Sequence, residues 1–263
     1  MKFLKLTFII AIAFSFTQCE QENEIVDSSD ATIVDNTTLE KIAKLGFDTQ
    51  NYPVLKDGEY YTVEGDINIP ESYLDEIDNQ NQSKQRRWVN IVSCNEIRYI
   101  TVFNNLPAGS ARNSVSLAMR HWNDITKCDI RFAATSNINN AEVIISNGPL
   151  SQGVVGRGTF PSNGKPGRYI RLDLNQFSSY SYAQWRSTIE HELGHNIGFA
   201  HTNGSAQGGG PLPQEILIQG TPVNDPNSLM NGRRGGTVRS LTGDDKRAAR
   251  LLYNTNFSGR LCN

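Results

Sequence analysis

Three of the chain's four histidines stand in one run, residues 188–201, which reads TIEHELGHNIGFAH. His191 and His195 fall one helical turn apart, so on a helix they share a face. Two imidazoles so placed can grip one metal ion, and borderline-soft Zn2+ favours nitrogen ligands. Glu192, one residue further round, is available to act on water at the metal rather than on the metal itself. Gly198 tolerates the left-handed backbone that ends a helix. The chain can then turn and present His201 as a third ligand from outside the helix. Three protein ligands leave the fourth position for water, the mark of a catalytic rather than a structural site. The remaining histidine, His121, lies outside this run on an expected helix and is read as structural.

These residues need a buried helix and a sheet to hold them. Serines within residues 178–181 can cap the helix, and Trp185, Ile189, Leu193 and Ile197 recur every fourth residue toward the core. Upstream, residues 97–103 read as a strand rich in β-branched and aromatic side chains. Ser110 or Asn113 then caps a helix on which Val115, Ala118, Met119 and Trp122 share a face. Residues 129–134, 141–146 and 169–174 read as further strands, with a glycine-rich stretch over 153–161. Strand, helix and strand in this order imply parallel neighbours in one sheet. Residues 202–228 form a glycine- and proline-rich connection whose length marks it as functional or mobile. Residues 244–253 close the domain as an amphipathic helix.

The run fits H-E-x-x-H-x-x-G-x-x-H without a mismatch, and at these residues the chain resembles the metzincin zinc endopeptidases. Ser228-Leu229-Met230-Asn231-Gly232 looks like the methionine turn that metzincins place beneath the zinc. The nearest resemblance is to the bacterial HEIGH-type metallopeptidases; the letters here are HELGH. It runs from about Tyr61 to Tyr253, taking in Val63-Glu64-Gly65-Asp66-Ile67, the strand at 98–102, and Leu241-Thr242-Gly243-Asp244-Asp245 leading to Leu252-Tyr253. It implies an α+β fold with a mixed, mostly parallel twisted sheet, a backing helix and the zinc helix. A small C-terminal subdomain would follow, with the methionine turn and a terminal helix. It implies one catalytic Zn2+ on His191, His195 and His201, with Met230 and Gly198 as structural residues under the metal. Glu192 would be general base for attack of a zinc-bound water on a peptide bond. An exposed strand on the cleft rim would pair with an extended peptide or protein substrate. Arg233, Arg234 and Arg239 fall where metzincins wall the S1′ pocket, although solvated loop arginines are the plainer reading. The tyrosine that some metzincins carry two residues after the methionine is absent, since position 232 is Gly. Structural Ca2+ is compatible with the resemblance, but no residues are assigned to it.

Residues 1–18 read as a signal peptide: Lys2 and Lys5 precede an apolar run to Phe16 that is too short to span a bilayer. Cys19 follows directly and resembles the lipidation site of a bacterial lipoprotein, although Gln18 departs from the small residue usual there. Export with a lipid anchor in the outer membrane or cell surface is therefore expected, with plain secretion as the alternative. Residues 19–38 read as an acidic, flexible tether. Residues 39–90 form an N-terminal segment with one short helix, a strand over 60–69 and a helix opening at Pro70. It holds too little apolar material for a core of its own, so it packs on the catalytic domain, residues 91–263, or covers the cleft as a pro-segment. Asp66 is a carboxylate that could fill the open metal position; an exposed turn aspartate is the plainer reading. In an exported chain Cys94 and Cys128, each just before an expected strand, are the candidate disulfide, which would leave Cys262 unpaired.

The formal charge is −2, and loss of the first 18 residues removes two bases and no acid. No basic stripe suggests nucleic acid, and the chain is expected to act as a monomer. A non-catalytic surface binding protein on the same scaffold would require loss of a ligand or of the glutamate, and neither is lost. Hydrolysis of a non-peptide amide would use the same chemistry, but a strand beside the cleft favours a peptide.

Overall fold

The fold was obtained as a computed structural model, which describes residues 34–44, 47, 49–50, 52–72, 74, 90–202, 218, 221, 225, 227–232 and 237–254. All of these belong to one compact unit, Ala31–Asn263. The expected signal peptide, Cys19, Cys262, Arg233, Arg234 and most of the connection after His201 lie outside the described residues. Among the described residues no helix is long and apolar enough to cross a membrane.

The first helix, α1 (Asn36–Lys44), starts a little earlier than expected. Asp35 explains this: its carboxylate accepts from the Thr38 backbone N–H at 2.9 Å and from the Thr38 hydroxyl at 2.7 Å, as an N-cap does. Three short strands follow: β1 (Leu55–Asp57), β2 (Tyr60–Val63) and β3 (Ile67–Pro70). The single strand expected over 60–69 is thus a hairpin. Glu64 and Gly65 both take positive φ, 52° and 91°, and reverse the chain. Val63 faces Ile67 across the turn and Tyr61 faces Ile69, so the alternation of apolar residues continues unbroken through it.

Next come β4 (Ile100–Asn105), α2 (Ser110–Asn123), β5 (Phe132–Thr135) and β6 (Val143–Asn147). The stretch before β4 is a turn of 3-10 helix, Glu96–Arg98, which shortens the expected strand. Gly109 occupies the N-cap of α2 without a side-chain bond, so Ser110 is its first residue rather than its cap. Val115, Ala118, Met119 and Trp122 are buried on one face of α2, as their spacing requires. The glycine-rich stretch contains β7 (Gly156–Thr159), and β8 (Tyr169–Leu172) follows. The last helices are α3 (Tyr182–Asn196) and α4 (Gly243–Tyr253).

All eight strands join one sheet in the order β1-β2-β3-β7-β8-β6-β4-β5. β4 pairs parallel with β5 and β6, β6 with β8, and β3 with β7, whereas β7/β8, β1/β2 and β2/β3 are antiparallel. This is the mixed, mostly parallel α+β sheet that the resemblance implies. The main core joins Val102, Val143, Ile145, Ile170 and Leu172 of the sheet to α2, α3, Met230 and α4. The Trp122 indole N–H donates to the Glu190 carbonyl at 2.9 Å and so fixes α2 against α3. A second apolar cluster holds Ile42, Phe47, Tyr61, Val63, Ile67, Ile69 and Leu74 around Phe160, with Ala200 beside it. The N-terminal segment therefore completes its core on residues of the catalytic half.

Candidate active site

α3 begins with a capping box. Ser181 Oγ accepts from the Gln184 N–H, and the Gln184 side chain accepts from the Ser181 N–H. Every residue from Trp185 to Asn196 is buried, because the helix is covered on all sides. At its end the Phe199 N–H returns to the Gly194 carbonyl and the Gly198 N–H to that of His195, both at 2.9 Å. Gly198 has φ 98°, the left-handed conformation that this double-bonded stop requires. The turn carries the chain back to His201, as its spacing predicts.

Carbonyl oxygens set the imidazoles. His191 Nδ1 faces the Leu229 oxygen and His195 Nδ1 the Phe199 oxygen, each at 2.8 Å. A ring nitrogen facing a carbonyl must donate, which leaves Nε2 of each ring as a lone pair. His201 Nδ1 stands 3.6 Å from Glu64 Oε2. The three Nε2 atoms converge, with those of His191 and His201 3.2 Å apart. Burial pushes the His195 imidazole below its ordinary pKa, against the opposing pull of Asp66, and so favours the neutral ring that a metal needs.

Asp66 lies at the point of convergence. Its Oδ2 is 3.1 Å from His201 Nε2, 3.6 Å from His191 Nε2 and 3.9 Å from His195 Nε2. Burial works against charge on this carboxyl, but the nearness of the histidines, His201 above all, outweighs it and holds the carboxyl well below the usual range. The exposed turn aspartate is therefore the reading that fails. Among the described residues, Asp66, His191, His195 and His201 form the one group able to hold a metal, with ligand atoms all within 4.8 Å of one another. His195 Nε2 and Asp66 Oδ1 are buried without a hydrogen-bond partner, which a metal at this point would explain. The donor set, three neutral nitrogens and one carboxylate oxygen, suits Zn2+.

Glu192 is buried on the turn beside these ligands, under β7. Its close approach depends on glycine. A Cβ at Gly156 would stand 2.8 Å from Glu192 Oε1, and one at Gly158 would stand 3.0 Å from both the Glu192 carbonyl and His195 Cβ. Met230 lies beneath the helix as expected: a Cβ on Gly194 would fall 2.5 Å from its sulfur. Its position is fixed from α4. Asp245 accepts from the Ser228 hydroxyl and the Leu229 N–H, and also closes the capping box with Thr242.

Asn196 carries a structural role that sequence reading missed. Its buried Nδ2 donates to the Thr159, Gly167 and Tyr169 carbonyls at 3.0, 2.7 and 3.3 Å, tying the helix end to β7 and β8. Glu64 was likewise unforeseen. His121 is structural, as expected: it meets the buried Glu190, which also binds Arg186 of its own helix. Arg239 is not the solvated loop arginine of the plainer reading: its guanidinium donates to the Ser228 carbonyl and its N–H to Ser187 Oγ. The disulfide expectation needs correction. Cys94 is disulfide-bonded, whereas Cys128 is a free, buried thiol, so the two are not joined to each other. The Cys128 sulfur turns into the core toward α4, 3.5 Å from the Ala249 carbonyl.

The family model described as dual-action HEIGH metallo-peptidase matches residues 61–253. Solved structures similar to the chain include high choriolytic enzyme 1, a hatching enzyme zinc-protease from the medaka fish Oryzias latipes. It shares 20% identity over 66% of this chain and 98% of its own, with a TM-score of 0.40. Two structures of myroilysin match with 17% and 13% identity, over 60% and 72% of this chain and 94% and 90% of theirs, at TM-scores of 0.41 and 0.42. No curated protein sequence matches. The family match spans both the Asp66 hairpin and the zinc helix, and the chain belongs to the HEIGH metallo-peptidases, a family of zinc-dependent proteolytic enzymes.

Proposed function

We propose that the chain is an exported zinc endopeptidase in a latent form, with His191, His195 and His201 as metal ligands and Glu192 as general base. The observation that carries the reading is Asp66 Oδ2 among the three Nε2 atoms. Zinc bound there supplies a Lewis acid that polarises the scissile carbonyl and acidifies water. Glu192 takes the proton from the attacking water and hands it to the leaving amine. The backbone of β7 holds the peptide as an added strand. In the latent form β3 takes that edge and Asp66 takes the substrate's place at the histidines. Residues 39–90 would act as the inhibitory segment and residues 91–263 as the enzyme. Residues 1–18 would be removed on export and Cys19 would carry the lipid, anchoring a monomer at the outer membrane or cell surface.

The test is cleavage of a mixed peptide library by the soluble chain from residue 20, trimmed within its N-terminal segment by an added protease. A Glu192→Ala control is matched for zinc content. Wild type should cleave, a chelator should stop it and zinc should restore it. The control should be slower by about a hundredfold to ten-thousandfold. If neither cleaves while both hold zinc, the scaffold is a binding protein.

A further inference from the structure

The outer face of the sheet carries charges that the metal site does not use. Arg157 of β7 lies directly opposite Arg171 of β8, so both side chains leave the same face. Ile170 and Leu172 are fully buried on the other face, where Gly156 and Gly158 meet α3. Like charges directly opposite on a sheet repel. One carboxylate joins them: Asp57 Oδ2 is 3.7 Å from Arg157 Nη1 and 3.6 Å from Arg171 Nη1. Asp57 belongs to β1, in the same N-terminal segment that carries Asp66. Arg157 is only 7% exposed, yet its Nε has no hydrogen-bond partner. A buried guanidinium with an idle donor and one long ion pair is incompletely satisfied. Such a group binds a carboxylate best through two parallel hydrogen bonds of about 2.8 Å, closer than Asp57 comes.

We infer that Arg157 and Arg171 form a carboxylate-binding subsite that selects peptides bearing Asp or Glu near the scissile bond, and that Asp57 fills this subsite in the latent chain. The inference rests on the peptidase reading above. β3 now pairs with β7 through Ile67–Gly158 and Asn68–Thr159. A peptide taking the same edge sends alternate side chains to the outer face, and the one opposite Arg157 has its Cβ about 5 Å from that of the arginine. Gly156 and Gly158 flank Glu192, and a strand advances about 3.3 Å per residue. The recognised residue therefore lies within about three positions of the scissile bond.

The experiment uses the soluble chain from residue 20 with Asp57→Ala and Asp66→Ala, trimmed within its N-terminal segment by an added protease, so that neither carboxylate nor β3 covers the edge of β7. Its zinc-loaded form is profiled on a peptide library. Its zinc-free form is titrated with a fluorescent Asp-containing peptide and with the Asn counterpart. Cleavage should favour Asp or Glu over Asn or Gln about tenfold at one position, and the Asp peptide should bind about tenfold tighter. Adding Arg157→Gln should erase both preferences while neutral peptides are still cut. Arg171→Gln, at a residue 48% exposed, should weaken both and covers the case that Arg157→Gln misfolds. Cleavage without an acidic preference, or a preference that survives both substitutions, overturns the subsite and leaves the peptidase standing. If nothing is cleaved the peptidase reading fails, and the titration alone decides: a tenfold gap lost in the variants upholds the subsite, and equal binding overturns it.

Discussion

As the proposed general base, Glu192 could work only if nothing stood between it and the peptide edge, and Gly156 and Gly158 leave that clearance. A Gly156→Ala side chain would meet Glu192 Oε1 at 2.8 Å, so the carboxylate must move. We expect kcat/KM of the trimmed enzyme to fall about tenfold to a hundredfold with zinc content unchanged. An unchanged rate would show that the glycine is not needed for the base. Asn196→Ala tests a different quality of the same helix. It strips three carbonyls of their donor in a dry interior, and should cost about 3 kcal/mol in denaturant unfolding. A loss below about 1 kcal/mol would mean that water or a shifted neighbour replaces the amide. The histidines and Glu192 were legible because helix geometry fixes what four-residue spacing puts on one face. Asp66 was not. A turn aspartate gives no local sign of which surface its hairpin will meet, and only the fold brings it onto the histidines. Asn196 was hidden for a related reason: its partners are backbone carbonyls, which have no letter in a sequence.

At the scale of elements, the ends of helices organise the site. The stop at Gly198 delivers His201, and the capping box of α4 holds the methionine turn through Asp245. Asp245→Ala should remove a cap and two turn contacts together, with a loss of about 2–4 kcal/mol measured by chemical unfolding. A loss no larger than a cap alone, about 1 kcal/mol, would show that the turn stands without it. The hairpin was misread as one strand because its turn has an odd number of residues and preserves the parity of the apolar positions. The disulfide was misassigned because closeness of two strands says nothing about where their flanking side chains point. Cys128 points into the core, where burial raises its thiol pKa. It should resist alkylation in the native protein and react only after unfolding. Rapid native labelling at Cys128 would contradict its burial.

For the molecule as a whole, the proposed latency would follow from how the N-terminal segment completes itself. It has a small apolar cluster of its own that, among the described residues, closes on Phe160 and Ala200, and β3 takes the edge of β7. The same docking places Asp66 at the histidines, Glu64 beside His201 and Asp57 beside the two arginines. Removal of the segment would free an edge, a metal position and a pair of cations in one event. The measurement that bears most directly on this account is peptide-library cleavage by the untrimmed chain from residue 20, at equal zinc content, as wild type, Asp66→Ala and Asp66→Ala/Glu192→Ala. Loss of one buried charge-assisted contact should raise the rate of Asp66→Ala about tenfold to a hundredfold over wild type, with the double variant inactive. An Asp66→Ala chain no faster than wild type, when both become active on trimming, would contradict the latch. Silence of every form before and after trimming would contradict the peptidase itself.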